Sequence, residues 1–543
     1  MKKRNLSIFV IIFIIVVFGI FIFKKFENGA NSDLVASDLP NLSPKERGAF
    51  YFSGDAWGGL SLGALKTHAI PWKITTASLI INEQHINPNI KTNKSEIDNI
   101  FQQFGFLKYK EIANFPKGAK PIKSQLPNGM VYGNLLGVQM ANIGCSSCHS
   151  GVLYNEDGTP NTDKIWLGSP NTSLNLEAYI QEVYNSYIIS LNDKERLLKT
   201  IKQIYPETTA TEMFMIKYFI LPQIENRMKM LAKSGRALPF PSGSPGVTNG
   251  VAALKLMMKL DMDDGGNNET GFTSIPDLGD RAWRSSMLYD GAYAPSKDKR
   301  QIPLKYKDIN QKSIDRLAII TSFFSVPSMG VSPNVTHRNY NKAKDVYAFL
   351  KDYHAPKYPA KINMVAAKKG EGIYGEKCAS CHGYYNYDLS NPKLVQFPNW
   401  IGDVGTDKRR AQVFNQNAAN AVNSTIYKKD LIAKHTGEYV GTPLSGIWQS
   451  APYLHNGSVP TIDALLNPSK RPKKFMTGGH SLDFVKLGIK IDENGNYPAN
   501  YKPWSKPEIY ETTKSGMSNS GHDYGSELTP DDQKSLIEYL KLL

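Results

Sequence analysis

The sequence predicts a mainly helical protein built from two related units, and three observations carry that expectation. A Cys-x-x-Cys-His run occurs twice, at 145–149 and 378–382, and together the runs use all four cysteines. Apolar residues recur at three- and four-residue spacing through 174–189 and 212–232, whereas few segments alternate with period two. At 543 residues the chain exceeds one ordinary small domain and suffices for two separate cores.

The elements follow in chain order. Residues 6–23 are apolar and uncharged, with lysines on both flanks, long enough to span a bilayer. No Ala-x-Ala cleavage pattern follows, so an uncleaved anchor helix is expected over 1–25, with a cleaved signal segment as the alternative. A polar linker occupies 26–50 and a first unit 51–354. That unit carries a helical insertion after its motif, and Pro222 should kink or split the second inserted helix. The Gly-, Pro- and Ser-rich stretch 235–250 reads as loop, and the prolines in 353–359 mark the connector to the second unit, 355–543. There a helix through 365–374 runs into Cys378. A final helix opens on Thr529 as N-cap, Pro530 at its first position and acidic residues in its first turn.

In each run the two thiols stand one helical turn apart, so both can bond the vinyl groups of one haem while the next histidine reaches the iron. Cys145 and Cys148 would attach one haem with His149 as proximal ligand, and Cys378, Cys381 and His382 a second. A thioredoxin-like pair or half a zinc site fits less well, because the histidine follows directly both times and no other cysteine exists. The expected architecture is therefore two c-type cytochrome domains with long loops, exported to the outer, periplasmic side of a bacterial inner membrane. Among the remaining histidines His522 is the expected distal ligand of the second haem, since it stands in a glycine-bounded loop just before the terminal helix; a solvent-exposed loop histidine is the bland alternative. No histidine, methionine or tyrosine can be assigned in the same way to the first haem, which permits one saturated iron and one open to peroxide or dioxygen.

The formal charge of +15 suits an acidic electron-donor protein or anionic lipid, although many surface lysines would produce the same number. No Lys/Arg block resembles a nucleic-acid patch, and nucleic acid is not expected as a partner.

Residues 441–461, Gly-Thr-Pro-Leu-Ser-Gly-Ile-Trp-Gln-Ser-Ala-Pro-Tyr-Leu-His-Asn-Gly-Ser-Val-Pro-Thr, resemble the signature of bacterial di-haem cytochrome c peroxidases. Together with 471–475, 280–286 and 521–525, they are similar to the long branch of that superfamily containing the di-haem rubber oxygenases. The resemblance implies a distal histidine on the second haem, again His522, and makes His455 a hydrogen-bonding neighbour of that haem rather than a ligand. It also implies an aromatic relay between the haems. The Pro-Leu-Trp-Asp run of relatives is replaced here by Pro276-Asp277-Leu278-Gly279-Asp280, leaving Trp283 as relay candidate or as a packing anchor. Glu177 is an available carboxylate downstream of the first haem, and the acidic stretch 261–264 hints at a calcium that shorter relatives carry.

Three functions compete. In the first, a small cytochrome or cupredoxin delivers electrons to the C-terminal haem and peroxide is reduced at the N-terminal one. The second is an oxygenase cleaving an apolar alkene or polyisoprene-like substrate; the third is an electron carrier without catalysis.

Overall fold

The computed structural model describes residues 41–54, 69–119, 127–135, 137–262, 270–328, 333–338 and 340–543. The expected anchor helix lies outside the described residues, as do His68 and part of the acidic stretch at 261–264. Among the described residues no helix is long and apolar enough to cross a membrane.

Helices and short sheets alternate along the chain, so the fold is mixed α/β rather than mainly helical. One three-stranded sheet joins Ile70–Pro71, Val138–Ile143 and Met130–Leu135, and another joins Glu111–Ile112, Pro160–Leu167 and Ser150–Tyr154. Several other pairings involve strands of only two residues. Strands this short, some covered on both faces, leave no period-two signature; Val138–Ile143, for example, buries three successive residues.

The helical insertion comprises Leu176–Leu191, Lys194–Ile204, Ala210–Met215 and Leu221–Leu231, with Asn175, Asp193 and Thr209 capping the first three. Pro222 does not split its helix. The turn before it, Ile216–Ile220, is π-helical, and this wider turn absorbs the hydrogen bond that proline cannot donate.

In the second unit Met364–Lys377 packs along the terminal helix Pro530–Leu540. Gly370 permits the approach, since a Cβ there would stand 2.0 Å from the Ser535 carbonyl oxygen. Thr529 caps the terminal helix as its sequence indicates, its hydroxyl accepting from the Asp532 N–H.

Two large cores form, and both draw on each side of residue 355. Phe414, Tyr427 and Leu431 pack into the core of the N-terminal haem motif, whereas Val247 and Phe272 pack into the core of the C-terminal motif. The segments around the two motifs are thus interleaved, which brings the motifs close together.

Candidate functional site

The first motif is held between strands. Val138–Ile143 leads into the short helix Cys145–Cys148, and Ser150–Tyr154 leads away from it. Two buried asparagines fix its backbone: Asn128 donates to the Ser146 carbonyl at 2.8 Å and Asn171 to the Ser147 carbonyl at 3.0 Å. His149 Nδ1 lies 3.1 Å from the Pro276 carbonyl. A carbonyl can only accept, so Nδ1 carries the proton and Nε2 keeps its lone pair for a metal. Burial, with the charge of Arg281 adding to it, lowers this histidine to about 4 and keeps it neutral.

The second motif follows the helix Met364–Lys377 directly. His382 repeats the arrangement, its Nδ1 donating to the Thr442 carbonyl at 2.7 Å, and burial lowers its pKa as well. Gly441 lies against this motif so closely that a Cβ there would meet the Cys381 carbonyl oxygen at 2.2 Å. The loop at 441–461 therefore forms one wall of the site.

His522 faces His382, with ring centroids 6.1 Å apart. Two imidazoles on opposite sides of one metal, each bonded at about 2 Å, bring their ring centres to about 6 Å. The loop bearing His522 is tightly built. His522 has φ 54°, an uncommon left-handed conformation for a residue with a side chain, and its N–H donates to the Val404 carbonyl at 2.7 Å. Gly521 rests on Gly405 where no side chain would fit. Arg471 clamps the loop from beneath, donating to the Asn519 and Gly521 carbonyls at 2.6 and 2.7 Å. Burial and the neighbouring His382 lower His522 to about 4, and its Nδ1 is buried with no hydrogen-bond partner.

Each motif opens into its own cavity. The C-terminal one, about 1650 Å³ with its mouth, is lined by Cys378, Cys381, His382, His522 and His455. The N-terminal one, about 1450 Å³, is lined by Cys145, Cys148 and His149. The cavities share a wall, since Ser274, Ile275, Pro276, Arg281, Tyr289 and Thr442 line both. The carbonyls that orient the two proximal histidines, those of Pro276 and Thr442, thus belong to one partition.

The thiols do not suit a dithiol redox pair. Burial pushes Cys148 and Cys378 up to about 12 and raises Cys381, the reverse of an activated thiolate. Among the described residues no three His, Cys, Asp or Glu side chains gather as a metal site, so neither zinc nor calcium finds a ligand cluster there. With two thiols, a preset imidazole and a large cavity at each motif, the donor sets fit haem.

His455 stacks on Tyr439 at 4.1 Å and its Nε2 lies 3.0 Å from the Tyr439 hydroxyl, in the wall of the C-terminal cavity. Burial and the charge of Arg410 lower it to about 3. Trp283, the expected relay, lines neither cavity. It ends the short turn Arg281–Trp283 and packs against Leu394 and Phe397, while Arg281 at the start of that turn faces the shared wall. Glu177 is likewise absent from the N-terminal cavity; it pairs with Arg236 at 2.7 Å and accepts from the Ser242 N–H. The roles of Arg281, Arg284 and Arg471 escaped the sequence reading, although all three lie in motifs that carry the resemblance. The available signal was arginine within the two stretches 280–286 and 471–475 that carry the resemblance.

Comparison with known proteins agrees with this geometry. Residues 437–476 match the family described as RoxA-like, cytochrome c-like. That match covers the wall loop and the beginning of the Arg471 clamp, and it implies a haem cofactor. Two proteins of Sinorhizobium fredii, both described as uncharacterized, are similar. The protein y4iM is 31% identical over 235 residues, covering 36% of this chain and 52% of its own length. The protein y4iJ is 37% identical over 255 residues, covering 35% of this chain and 41% of its own. The chain thus spans about half the length of the curated relatives it matches.

Proposed function

We propose that this protein is a di-haem c-type cytochrome redox enzyme with divided labour. Cys145, Cys148 and His149 hold the working haem; Cys378, Cys381, His382 and His522 hold a saturated one that stores or passes electrons. The observation that carries the reading is the asymmetry across the shared wall. His382 faces His522, whereas His149 is the one imidazole in the described lining of the N-terminal cavity. A haem bound there supplies an iron that takes up and activates a small oxidant.

Dioxygen chemistry on an apolar alkene, cleaving one carbon-carbon double bond into two carbonyl groups with both oxygen atoms incorporated, suits this cavity best. Val251, Leu254, Met287, Val346 and Leu350 line it, and its described lining holds no carboxylate and no second imidazole to move protons during peroxide cleavage. The similarity to the RoxA-like family supports the same choice. Peroxide reduction is the second reading, favoured by the common wall, because a peroxidase draws electrons from both haems. Its donor would be a small cytochrome or cupredoxin with an acidic face, suited to the net charge of +15. Covalent haem attachment would place the body on the periplasmic side of a bacterial inner membrane.

Carbon monoxide titration of the reduced protein tests the asymmetry. One carbon monoxide per chain is expected; uptake of none would mean that both irons are saturated, by Met287 for example, and would leave an electron carrier. Oxygen consumption with polyisoprene or a terpenoid alkene, with carbonyl products, separates the two enzymatic readings. Turnover of peroxide with a reduced donor and no alkene cleavage would select the peroxidase.

A further inference from the structure

Two arginines line the N-terminal cavity, Arg281 in the wall shared with the second cavity and Arg284 on the N-terminal side alone; the buried Asp277 carboxylate feels the charge of Arg281 without pairing with it. Arg284 is 2% exposed, and its one hydrogen bond runs from Nη2 to the Leu288 carbonyl at 3.1 Å. Arg281 donates from Nη2 to the Asp277 carbonyl at 2.9 Å, while its Nε is buried with no partner. Neither reaches a carboxylate within ion-pair distance. Arg410, which lines the same N-terminal cavity, is the informative contrast: it is paired with Asp290 at 2.8 Å and held by Thr273 at 2.9 Å. The acid nearest in effect to Arg284 is therefore already engaged. Burying the Arg284 guanidinium without a paired anion is costly and the neighbouring Arg281 charge adds to that cost, so the cavity favours an occupant that brings an anion with it.

We infer that Arg281 and Arg284 form a carboxylate-binding pair for the propionate edge of the haems, with Arg284 serving the N-terminal haem and Arg281, which lines both cavities, serving both. A forked guanidinium matches a carboxylate with two parallel hydrogen bonds, and the surrounding apolar wall strengthens them. Arg281 is then the charged group through which the two haems sense one another, in the position where an aromatic relay was expected. The inference rests on the di-haem reading above.

Spectroelectrochemical titration of the holoprotein tests it, with haem content measured alongside. Removing a positive charge beside a haem favours the oxidised iron. Arg284→Gln is therefore expected to lower the potential of the carbon monoxide-binding haem alone, and Arg281→Gln to lower both. Lysine at either position keeps the charge and is expected to restore most of each potential. Unchanged potentials in both glutamine variants would overturn the pairing, and so would shifts that lysine fails to restore, since those mark packing alone. If Arg284→Gln does not fold, Arg281→Gln, at a partly exposed position, still decides. Raising phosphate should leave the parent potentials unmoved. A phosphate-dependent shift that vanishes in Arg281→Gln would place a solution anion in the site and overturn the haem-carboxylate assignment. Fewer than two haems per chain would instead defeat the di-haem reading itself.

Discussion

Asp277 and His522 show how single side chains are set by surroundings distant in sequence. The Asp277 carboxylate accepts from the Gly279 N–H at 2.7 Å and from the Tyr353 hydroxyl at 2.8 Å, yet burial outweighs both and raises it to about 7. Between about pH 4 and pH 7 the folded protein thus binds a proton that the unfolded chain has released. Stability must fall as pH rises through that window, by on the order of a few kcal/mol, and Asp277→Asn should abolish this contribution. Urea unfolding of both proteins at pH 5 and pH 8 checks it; equal pH dependence would contradict the assignment. His522→Ala should convert the C-terminal haem from low to high spin in the paramagnetic resonance spectrum of the oxidised protein. A spectrum identical to the parent's would remove His522 from the iron. The loop bearing His522 has a local sign in its bounding glycines, whereas the Asp277 network joins Ser169, Tyr353 and Gln449 across long sequence separations and left none.

At the scale of elements, the best-read features were those whose information is local. Thr529 and Pro530 announce the terminal helix, and the run into Cys378 announces Met364–Lys377. How these two helices meet was not legible, because the requirement for Gly370 arises only where Ser535 crosses it. Gly370→Ala should destabilise the protein by about 1–3 kcal/mol through overpacking. Thermal unfolding measures this, and an unchanged midpoint would mean that the crossing can open without cost. The strands flanking Cys145–Cys148 form local hairpins with Met130–Leu135 and Pro160–Leu167, and they escaped notice because their burial does not alternate: Val138–Ile143 buries Met140, Ala141 and Asn142 in succession. Pro222, expected to kink or split its helix through its missing N–H, is accommodated without a split by the π-helical turn Ile216–Ile220 directly before it.

At the scale of the whole molecule the cores interleave. Residues beyond 355 complete the core around the first motif, and residues near 247 and 272 complete the core around the second. Neither part buries its apolar face alone, so calorimetry of the holoprotein should show one cooperative transition. Two resolved transitions would instead indicate cores that melt independently. The interleaving also produces the common wall, since Pro276 and Thr442 come from opposite sides of residue 355 and meet there.

The sequence by itself determined the chemistry that depends on short spacing: two Cys-x-x-Cys-His runs, the histidine next to each second thiol, and the loop at 441–461 that carries the family likeness. Each run is complete within one or two helical turns, and the loop is one continuous stretch of chain. The folded chain adds what the sequence did not show: Trp283 packs away from both cavities while Arg281 lines both, and the buried Arg284 lies there without an ion pair among the described residues. Those facts depend on contacts between segments more than a hundred residues apart, such as Trp283 on Leu394 and Phe397, and no local pattern in the chain encodes them.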